Sequence, residues 1–279
     1  MKWVVALAVV FMMSCDGLFR PSDPIVETWD FEPRWSWSGD KIAYTSRGIV
    51  DSMFARHVFI IDTTGENRRP VLGNAVMAVW LPGDSELVVM SLDFKLWRFN
   101  LNTQSLTRLC DCLDARFLEV DPSGQYLYYE DAGVANGWAT SIYRMDLATG
   151  DTTHIIGGSF PNLSPDGRFL SYWRDNEVRV LELDSDSERV VFAPAFQAHL
   201  DWSPDGSDIV IGNITRRRYY GNLYKVHPDG SGARRFSTGI SPQYSRTGNR
   251  LSVLRPGADN RYHLFLIDPD GGNPKQLTF

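Results

Sequence analysis

The sequence predicts an all-β protein built from six repeated units, which recur about every 39 to 45 residues. One phrase, an aromatic or aliphatic residue followed by a Gly-containing turn and an alternating strand, occurs six times. A second strand that ends near a polar residue follows each copy, and no window shows a sustained helical period. This period is typical of four-stranded blades, so the predicted fold is a six-bladed β-propeller of four-stranded antiparallel blades.

The first phrase marks the turn after the opening strand of each unit. It is clearest at residues 202–206 (WSPDG) and 163–167 (LSPDG). The other copies are residues 35–39, 80–84, 120–124 and 244–248. Pro, Asp and Gly are residues that preset or permit the backbone angles of tight turns, so each phrase predicts a hairpin between strands a and b of a blade.

The second phrase supplies strand c, and a short polar strand d closes each unit. The copies of strand c are residues 58–62, 96–100, 142–146, 178–182, 223–227 and 264–268. The predicted blades span about residues 32–73, 74–113, 114–156, 157–193, 194–237 and 238–279. Residues 25–31 (IVETWDF) alternate as well, which suggests an extra strand that seals the junction between the first and last blades.

These repeats resemble the WD-like repeats in the propeller of TolB and its relatives. The resemblance is carried by residues 202–206 (WSPDG), 268–273 (DPDGGN) and 275–278 (KQLT), and it extends over about residues 32 to 279. It implies the propeller fold and an extracytoplasmic location. TolB-like proteins carry an α/β domain before the propeller, whereas only residues 16–31 separate Cys15 from the first unit, so the role of TolB in envelope maintenance is not carried over.

The first 14 residues are typical of a bacterial signal peptide. Lys2 provides the positive start, and the apolar run from Trp3 to Met13 is too short to span a bilayer. Residues 12–15 (MMSC) resemble a lipobox, which implies cleavage before Cys15 and lipidation of its sulfur, with residues 15–31 as lipidated Cys and linker. An ordinary secretory signal with a chance cysteine is the alternative, and the choice between inner and outer membrane stays open.

Charge and cysteine content limit the partners. A net charge of −6 argues against general nucleic-acid binding, which needs a positive field. Cys110 and Cys112 are candidates for oxidation outside the cytoplasm, and a lone Cys-x-Cys is weak evidence for a metal. We therefore expect no metal and no cofactor, and the partner is expected to be an envelope protein or an acidic ligand.

The b–c connections, on the face opposite the a–b and c–d turns, differ most in length and chemistry. Long loops are expected at residues 46–56, 131–140, 215–221 and 255–262. The candidate partner-binding residues there are Phe54, Arg56, Trp138, Arg216, Arg217, Arg218, Tyr219, Tyr220 and Arg261. Aromatic residues and Arg dominate binding hot spots, and guanidinium groups suit carboxylates and phosphates. Alternatively, the arginines are solvated and the tyrosines pack beneath their own loop.

The residue before each strand-a anchor is a second candidate set, because the innermost strands surround the axis. Its polar members are Arg34, Glu119, Asn162, Asp201 and Gln243. They are expected to line a wet central channel, or else to be satisfied by water and by one another.

An enzyme is the less favoured interpretation, and no catalytic residue is assigned. The five histidines fall at different radii and on opposite faces, and no nucleophile elbow, metalloprotease or nucleotide-binding motif is present. The alternative is a carbohydrate-active propeller, a lyase or glycoside hydrolase, with a site at the axial mouth. Asp121 and Asp201 flank the strand-a anchors and are then the carboxylates that approach the axis; alternatively, they cap turns.

Changing Cys15 to Ala tests the lipid anchor. We expect the Cys15→Ala chain to leave the membrane fraction on washing with high salt and carbonate, because no acyl chain then holds it. The matched control is Ser14→Ala, which keeps a small residue before the cysteine and stays membrane-bound. Retention of the Cys15→Ala chain after the washes contradicts the anchor.

Overall fold

The fold is an all-β propeller, as the repeats predict. The computed structural model describes residues 26–50, 53–110, 115–133, 140–215 and 218–279. Over these residues the chain forms 24 strands in six four-stranded antiparallel sheets, and each sheet consists of four consecutive strands. Within the same ranges no helix is long and apolar enough to cross a membrane.

The first three blades contain twelve strands in chain order. They are β1 (Val26–Trp35), β2 (Lys41–Val50), β3 (Met53–Asp62), β4 (Arg69–Gly73), β5 (Ala75–Trp80), β6 (Glu86–Ser91), β7 (Leu96–Asn100), β8 (Leu106–Cys110), β9 (Ala115–Val120), β10 (Tyr126–Asp131), β11 (Ser141–Asp146) and β12 (Thr152–Gly157).

The last three blades contain the remaining twelve. They are β13 (Ser159–Leu163), β14 (Phe169–Arg174), β15 (Glu177–Glu182), β16 (Ser187–Phe192), β17 (Ala198–Trp202), β18 (Ile209–Thr215), β19 (Arg218–Val226), β20 (Arg234–Thr238), β21 (Ile240–Tyr244), β22 (Leu251–Pro256), β23 (Tyr262–Ile267) and β24 (Lys275–Gln276).

The serine and the glycine of the recurring turn phrase fix the conformation of the turn. In blade 4 the Ser164 hydroxyl accepts the N–H of Phe169 at 2.9 Å and donates to the Asp166 carboxylate at 2.6 Å. Gly167 closes the turn with a φ of +71°, where a side chain would be strained. The short loop is thereby fixed between strands a and b, which sets their register.

Six buried apolar clusters hold the ring together, and each lies between two neighbouring blades in the described part of the chain. Tryptophans at the ends of inner strands reinforce them. The indole N–H of Trp80 donates to the Arg34 carbonyl at 3.1 Å, and that of Trp35 donates to the Gln243 carbonyl at 3.1 Å. Blades 2 and 1 are therefore each bonded to the backbone of the blade before them in the ring.

Two of the predicted b–c loops are instead extensions of strands. β2 and β3 pair continuously from Lys41↔Asp62 to Val50↔Met53, so residues 46–50 and 53–56 are paired strand rather than loop. β18 and β19 likewise pair as far as Thr215↔Arg218. Backbone groups in these segments are better satisfied by pairing than by an open loop.

The segment expected to form an extra strand belongs to blade 1. Val26 pairs with Ile49 and Phe31 pairs with Thr45, so residues 26–31 are the first half of the inner strand β1. The first blade consequently starts at Val26 rather than near residue 32.

Among the described strands none is shared between the last and first blades, and side chains close the seam between them. The Thr278 hydroxyl donates to the buried Asp30 carboxylate and accepts the N–H of Leu264 at 2.8 Å. Lys275 Nζ donates to the Thr64 carbonyl at 2.8 Å on the outer side. Burial raises the pKa of Asp30 to about 6, and the hydrogen bond from Thr278 partly opposes this.

Replacing Thr278 by Val tests this closure. We expect the free energy of unfolding to fall by about 1–3 kcal/mol, because the substitution removes two hydrogen bonds that the buried Thr278 hydroxyl makes, to Asp30 and to the N–H of Leu264. Urea denaturation measures the change, and Thr107→Val on the exposed strand β8 is the matched control. Equal stability of the two variants would contradict a role for Thr278 in closure.

Candidate functional site

The inner strands surround a cavity of about 170 Å³ on the propeller axis. Arg34, Glu119, Asp201 and Gln243 line it, and Asn162 lies next to it with Nδ2 3.4 Å from Glu119 Oε2. The structure thus brings the five polar residues of the second candidate set together. Their role in binding stays a prediction.

The a–b turns form the mouth of this cavity, and we call the side that carries the a–b and c–d turns the turn face. Four of the six turn phrases hold Pro at one position: Pro82, Pro122, Pro165 and Pro204. Neighbouring turns pack closely there, since a Cβ added at Gly124 would lie 2.7 Å from the Pro82 ring. The mouth is therefore a rigid ring of turns.

Trp37 and Arg246 occupy that Pro position in the two remaining turns, which are neighbours across the seam. The Arg246 guanidinium lies 4.1 Å from the centre of the Trp37 ring, as a cation–π pair, and both residues line the cavity. Sequence reasoning missed this pair. The departure of both residues from Pro at one repeat position was the signal that could have found it.

The opposite end of the channel is closed by aromatic rings. The rings of Phe117 and Phe160 have centroids 4.1 Å apart, and the His199 ring lies 4.9 Å from Phe160. Only a small space of about 10 Å³ remains among them. The axial cavity is therefore a pocket that opens at the turn face, and not a continuous channel.

Bulges in the inner strands create this closure. Glu32, Phe117, Phe160 and Ser241 hold equivalent repeat positions and have φ values of 47°, 46°, 57° and 48°. The pairing register shifts at these points in β1, β9, β13 and β21. A β-bulge re-aims a side chain, so the four residues turn toward the axis. Backbone strain of this kind persists only where the surrounding structure imposes it.

Glu32, His199 and Ser241 come together beside the aromatic rings but do not form a catalytic triad. The Ser241 hydroxyl lies 3.1 Å and Glu32 Oε1 lies 3.7 Å from the same ring nitrogen, Nδ1 of His199. A proton relay needs the acid and the nucleophile on different nitrogens. Burial lowers the pKa of His199, which favours the neutral ring.

Two carboxylates that face the pocket have raised pKa values. Burial raises the pKa of Glu119 to about 7, although Arg34 and Arg246 oppose the shift. Burial also raises the pKa of Asp201 to about 6, while one of its oxygens accepts the Tyr244 N–H at 2.5 Å. Near neutral pH the pocket is therefore able to exchange protons, and a cation placed in it would favour the ionised carboxylates.

Several buried polar atoms around the pocket have no hydrogen-bond partner within the described chain. They are Asn162 Oδ1, Glu32 Oε2 and Arg34 Nε. Two of these three are acceptors, so a ligand or water that donates hydrogen bonds would satisfy them. Among the described residues no group of three or more His, Cys, Asp or Glu side chains has the arrangement to hold a metal ion.

Asp121, the other carboxylate expected near the axis, caps its own turn. Its side chain accepts the N–H of Tyr126 at 2.6 Å and that of Ser123 at 3.1 Å. The pair of carboxylates that meets at the axis is Glu119 with Asp201.

The structure describes the side chains of only two residues of the predicted b–c set. Arg56 is half-buried with its guanidinium 5.6 Å from the centre of the Phe31 ring, and Arg261 is exposed beside Asp259. Cys15, Cys112, Trp138, Arg216 and Arg217 lie outside the described residues, as do the side chains of Phe54, Arg218, Tyr219 and Tyr220. Cys110 is disulfide-bonded to a partner outside that part.

No family model matches the chain, and no curated protein matches it in sequence. Solved structures do match. TolB from Acinetobacter baumannii superposes with a TM-score of 0.63 at 16% identity over 78% of this chain. The chain has a TolB-like β-propeller fold. It spans 57% of the length of that TolB.

Propellers of other proteins are also similar to this TolB-like chain. Oligogalacturonate lyase from Vibrio parahaemolyticus matches with a TM-score of 0.59 at 12% identity, over 94% of this chain and 81% of the lyase. The β-propeller domain of the trilobed protease from Pyrococcus furiosus, described as having an open velcro topology, matches with a TM-score of 0.55 at 14% identity, over 92% and 97%. At these identities the likeness shows the fold alone.

Substitution of Glu119 by Gln tests the electrostatics of the pocket. Because the pKa of Glu119 is raised from 4.5 to about 7, its stabilising protonation is complete below pH 4.5 and is lost as the pH rises through 7. We expect Glu119→Gln to raise the free energy of unfolding at pH 8 by about 1–3 kcal/mol and to leave it nearly unchanged at pH 4.5.

Urea denaturation at the two pH values measures the difference. Glu66→Gln in an exposed c–d turn is the control and should show no such pH dependence. A Glu119→Gln variant that is equally destabilised at both pH values would contradict the raised pKa.

Proposed function

We propose that the chain is a lipid-anchored, non-enzymatic propeller of the bacterial cell envelope that binds a protein partner at the turn face. In this proposal a basic side chain of the partner enters the axial pocket. The observation that carries it is the pocket itself, which is closed at one end and presents the carboxylates of Glu119 and Asp201 to an open mouth.

The charge of the turn face supports a basic partner. The a–b and c–d connections contain thirteen carboxylates and four basic side chains. A surface of one sign attracts and orients a partner of the opposite sign. The Arg246–Trp37 pair at the rim offers an aromatic face and a fixed cation. Contacts with this pair, as well as charge, would therefore select a particular segment of the partner.

The pocket size and its carboxylates support insertion of a side-chain end. A volume of about 170 Å³ holds the end of a Lys or Arg side chain but not a folded element. An ammonium or guanidinium group donates several hydrogen bonds, which matches the carboxylates of Glu119 and Asp201 that line the pocket. The chain's envelope location is proposed from the signal-like N-terminus and the TolB-like fold.

A second candidate function is glycan cleavage at the same pocket. It is favoured by the two buried carboxylates, since raised pKa values of about 7 and 6 keep a carboxyl group available as a general acid. Turnover of polyuronate or glycan substrates by the unchanged chain, lost in Glu119→Gln, would support it over the binding function.

Site-directed photocrosslinking in intact cells tests the binding function. A benzoylphenylalanine at Thr247, next to Arg246 at the mouth, should capture one defined envelope protein, whereas the same group at Leu92 on the opposite face should not. Mass spectrometry identifies the partner and the crosslinked segment. Capture of the same protein from Leu92 alone contradicts the proposed site.

Calorimetry with a peptide of the crosslinked segment then measures the pocket's contribution. We expect Asp201→Asn to raise the Kd by about 30-fold or more, because the inserted cation loses a desolvated partner. Asp184→Asn, in an exposed c–d turn far from the axis, is the matched control and should leave the Kd unchanged.

A further inference from the structure

Arg246 differs from the other basic side chains of the turn face, whose a–b and c–d connections all lie within the described residues. Three of the four are held by a neighbouring group of the chain: Arg68 by the Tyr44 hydroxyl, Arg168 by Glu182 and Arg250 by Asp268. Arg246 is exposed, and its guanidinium makes no hydrogen bond or ion pair with any residue that the structure describes. Its contact within the chain is the stack on Trp37.

Trp37, the platform beneath Arg246, is fixed by the neighbouring blade. Its backbone N–H donates to Asp84 Oδ1 at 2.6 Å, and its indole N–H donates to the Trp80 carbonyl at 3.0 Å. The guanidinium carbon of Arg246 lies 4.1 Å from the ring centre. A stacked guanidinium uses its flat face for the ring, and its N–H donors lie in its plane and stay available at the edge. The stack therefore positions a cation whose donors no described residue uses.

The donors of Arg246 fit a carboxylate. The edge of a guanidinium presents parallel N–H groups that match the two oxygens of one carboxylate, and such charge-assisted bonds are about twice as strong as neutral ones. A phosphate group would carry up to about two negative charges and would be repelled more strongly by the neighbouring carboxylates of Glu119 and Asp201. A carboxylate is therefore the anion that this position favours.

The charges that line the pocket favour a carboxylate close to the inserted cation. Arg34 and Arg246 balance Glu119 and Asp201 when both carboxyl groups are ionised. A lone cation would leave an excess positive charge in the pocket, whereas a cation with a carboxylate beside it would leave the balance unchanged. Arg246 opposes the rise in the pKa of both carboxyl groups, so its guanidinium is within electrostatic reach of the place proposed for the cation.

We propose that Arg246 is a specificity-determining residue of the pocket and binds a carboxylate next to the basic residue that the partner inserts. The carboxylate belongs to the chain terminus of the partner segment or to an adjacent acidic side chain, because consecutive Cα atoms are only about 3.8 Å apart. This inference rests on the proposed function. It narrows the partner from any basic segment to one that carries a cation and a carboxylate side by side.

Four lysine compounds test this recognition in the full-length chain, held in detergent micelles. Nα-acetyl-lysine has a terminal carboxylate, and Nα-acetyl-lysine amide is its counterpart without one. Acetyl-Lys-Asp amide has an acidic side chain, and acetyl-Lys-Asn amide is its counterpart. Nuclear magnetic resonance of the indole N–H groups reports binding, because Trp37 and Trp80 line the pocket. Titration then gives the Kd of each compound.

We expect at least one carboxylate compound to bind about tenfold more tightly than its counterpart, a ratio that one charge-assisted pair supplies. Arg246→Gln should reduce this ratio to about one, because the fork that holds the carboxylate is lost. Arg250→Gln is the matched control and should retain the ratio, since Arg250 is exposed on the same turn and pairs with Asp268. The compound that shows the preference distinguishes a terminal from a side-chain carboxylate.

Two results would overturn the inference: equal affinity of the unchanged chain for each carboxylate compound and its counterpart, or a preference that the Arg246→Gln chain retains. In either case the proposed cation pocket still stands if Asp201→Asn weakens the binding of Nα-acetyl-lysine amide. If none of the compounds shifts an indole signal at tens of millimolar, the cation pocket and the carboxylate site are both disproved.

Discussion

Packing of each blade against the next is the constraint on which the rest of this structure depends. No blade buries its own apolar surface, and every described core cluster lies between two neighbours. The indole of Trp80 is buried with its N–H on the Arg34 carbonyl, and the indole of Trp35 is held by Gln243 in the same way. A buried indole without an acceptor would cost about 1–3 kcal/mol, so these bonds also fix the height of blade 1 relative to its two neighbours.

That height determines what lies on the axis. The residue before each turn anchor is brought to the same level in every blade, which places Arg34, Glu119, Asp201 and Gln243 around one cavity. Water solvates the charges of these side chains less well in the cavity than in bulk solvent. The raised pKa values of Glu119 and Asp201 are therefore a consequence of the ring closing, and not of either residue's local sequence.

Closure also makes the two ends of the axis different. Bulges in four inner strands turn side chains inward on the side opposite the turn face, where Phe117 and Phe160 meet, while the turn-face side stays open between rigid turns. At the seam, Arg246 stacks on Trp37 and Thr278 bonds to Asp30, so residues far apart in the chain complete both the mouth and the ring. A pocket with one opening gives the molecule two unlike faces.

The sequence by itself determined the number of blades, the turn chemistry and the polar residues that face the axis, because each follows from a local pattern repeated in phase. Strand alternation and the Pro and Gly positions act over a few residues, so they can be interpreted without knowing the ring. Only the tertiary structure decided that β2 and β3 stay paired as far as Val50 and Met53, that Phe117 and Phe160 close one end, and that Trp37 meets Arg246. Those outcomes depend on which strands become neighbours and on strain imposed by the closed ring, and no local pattern encodes either.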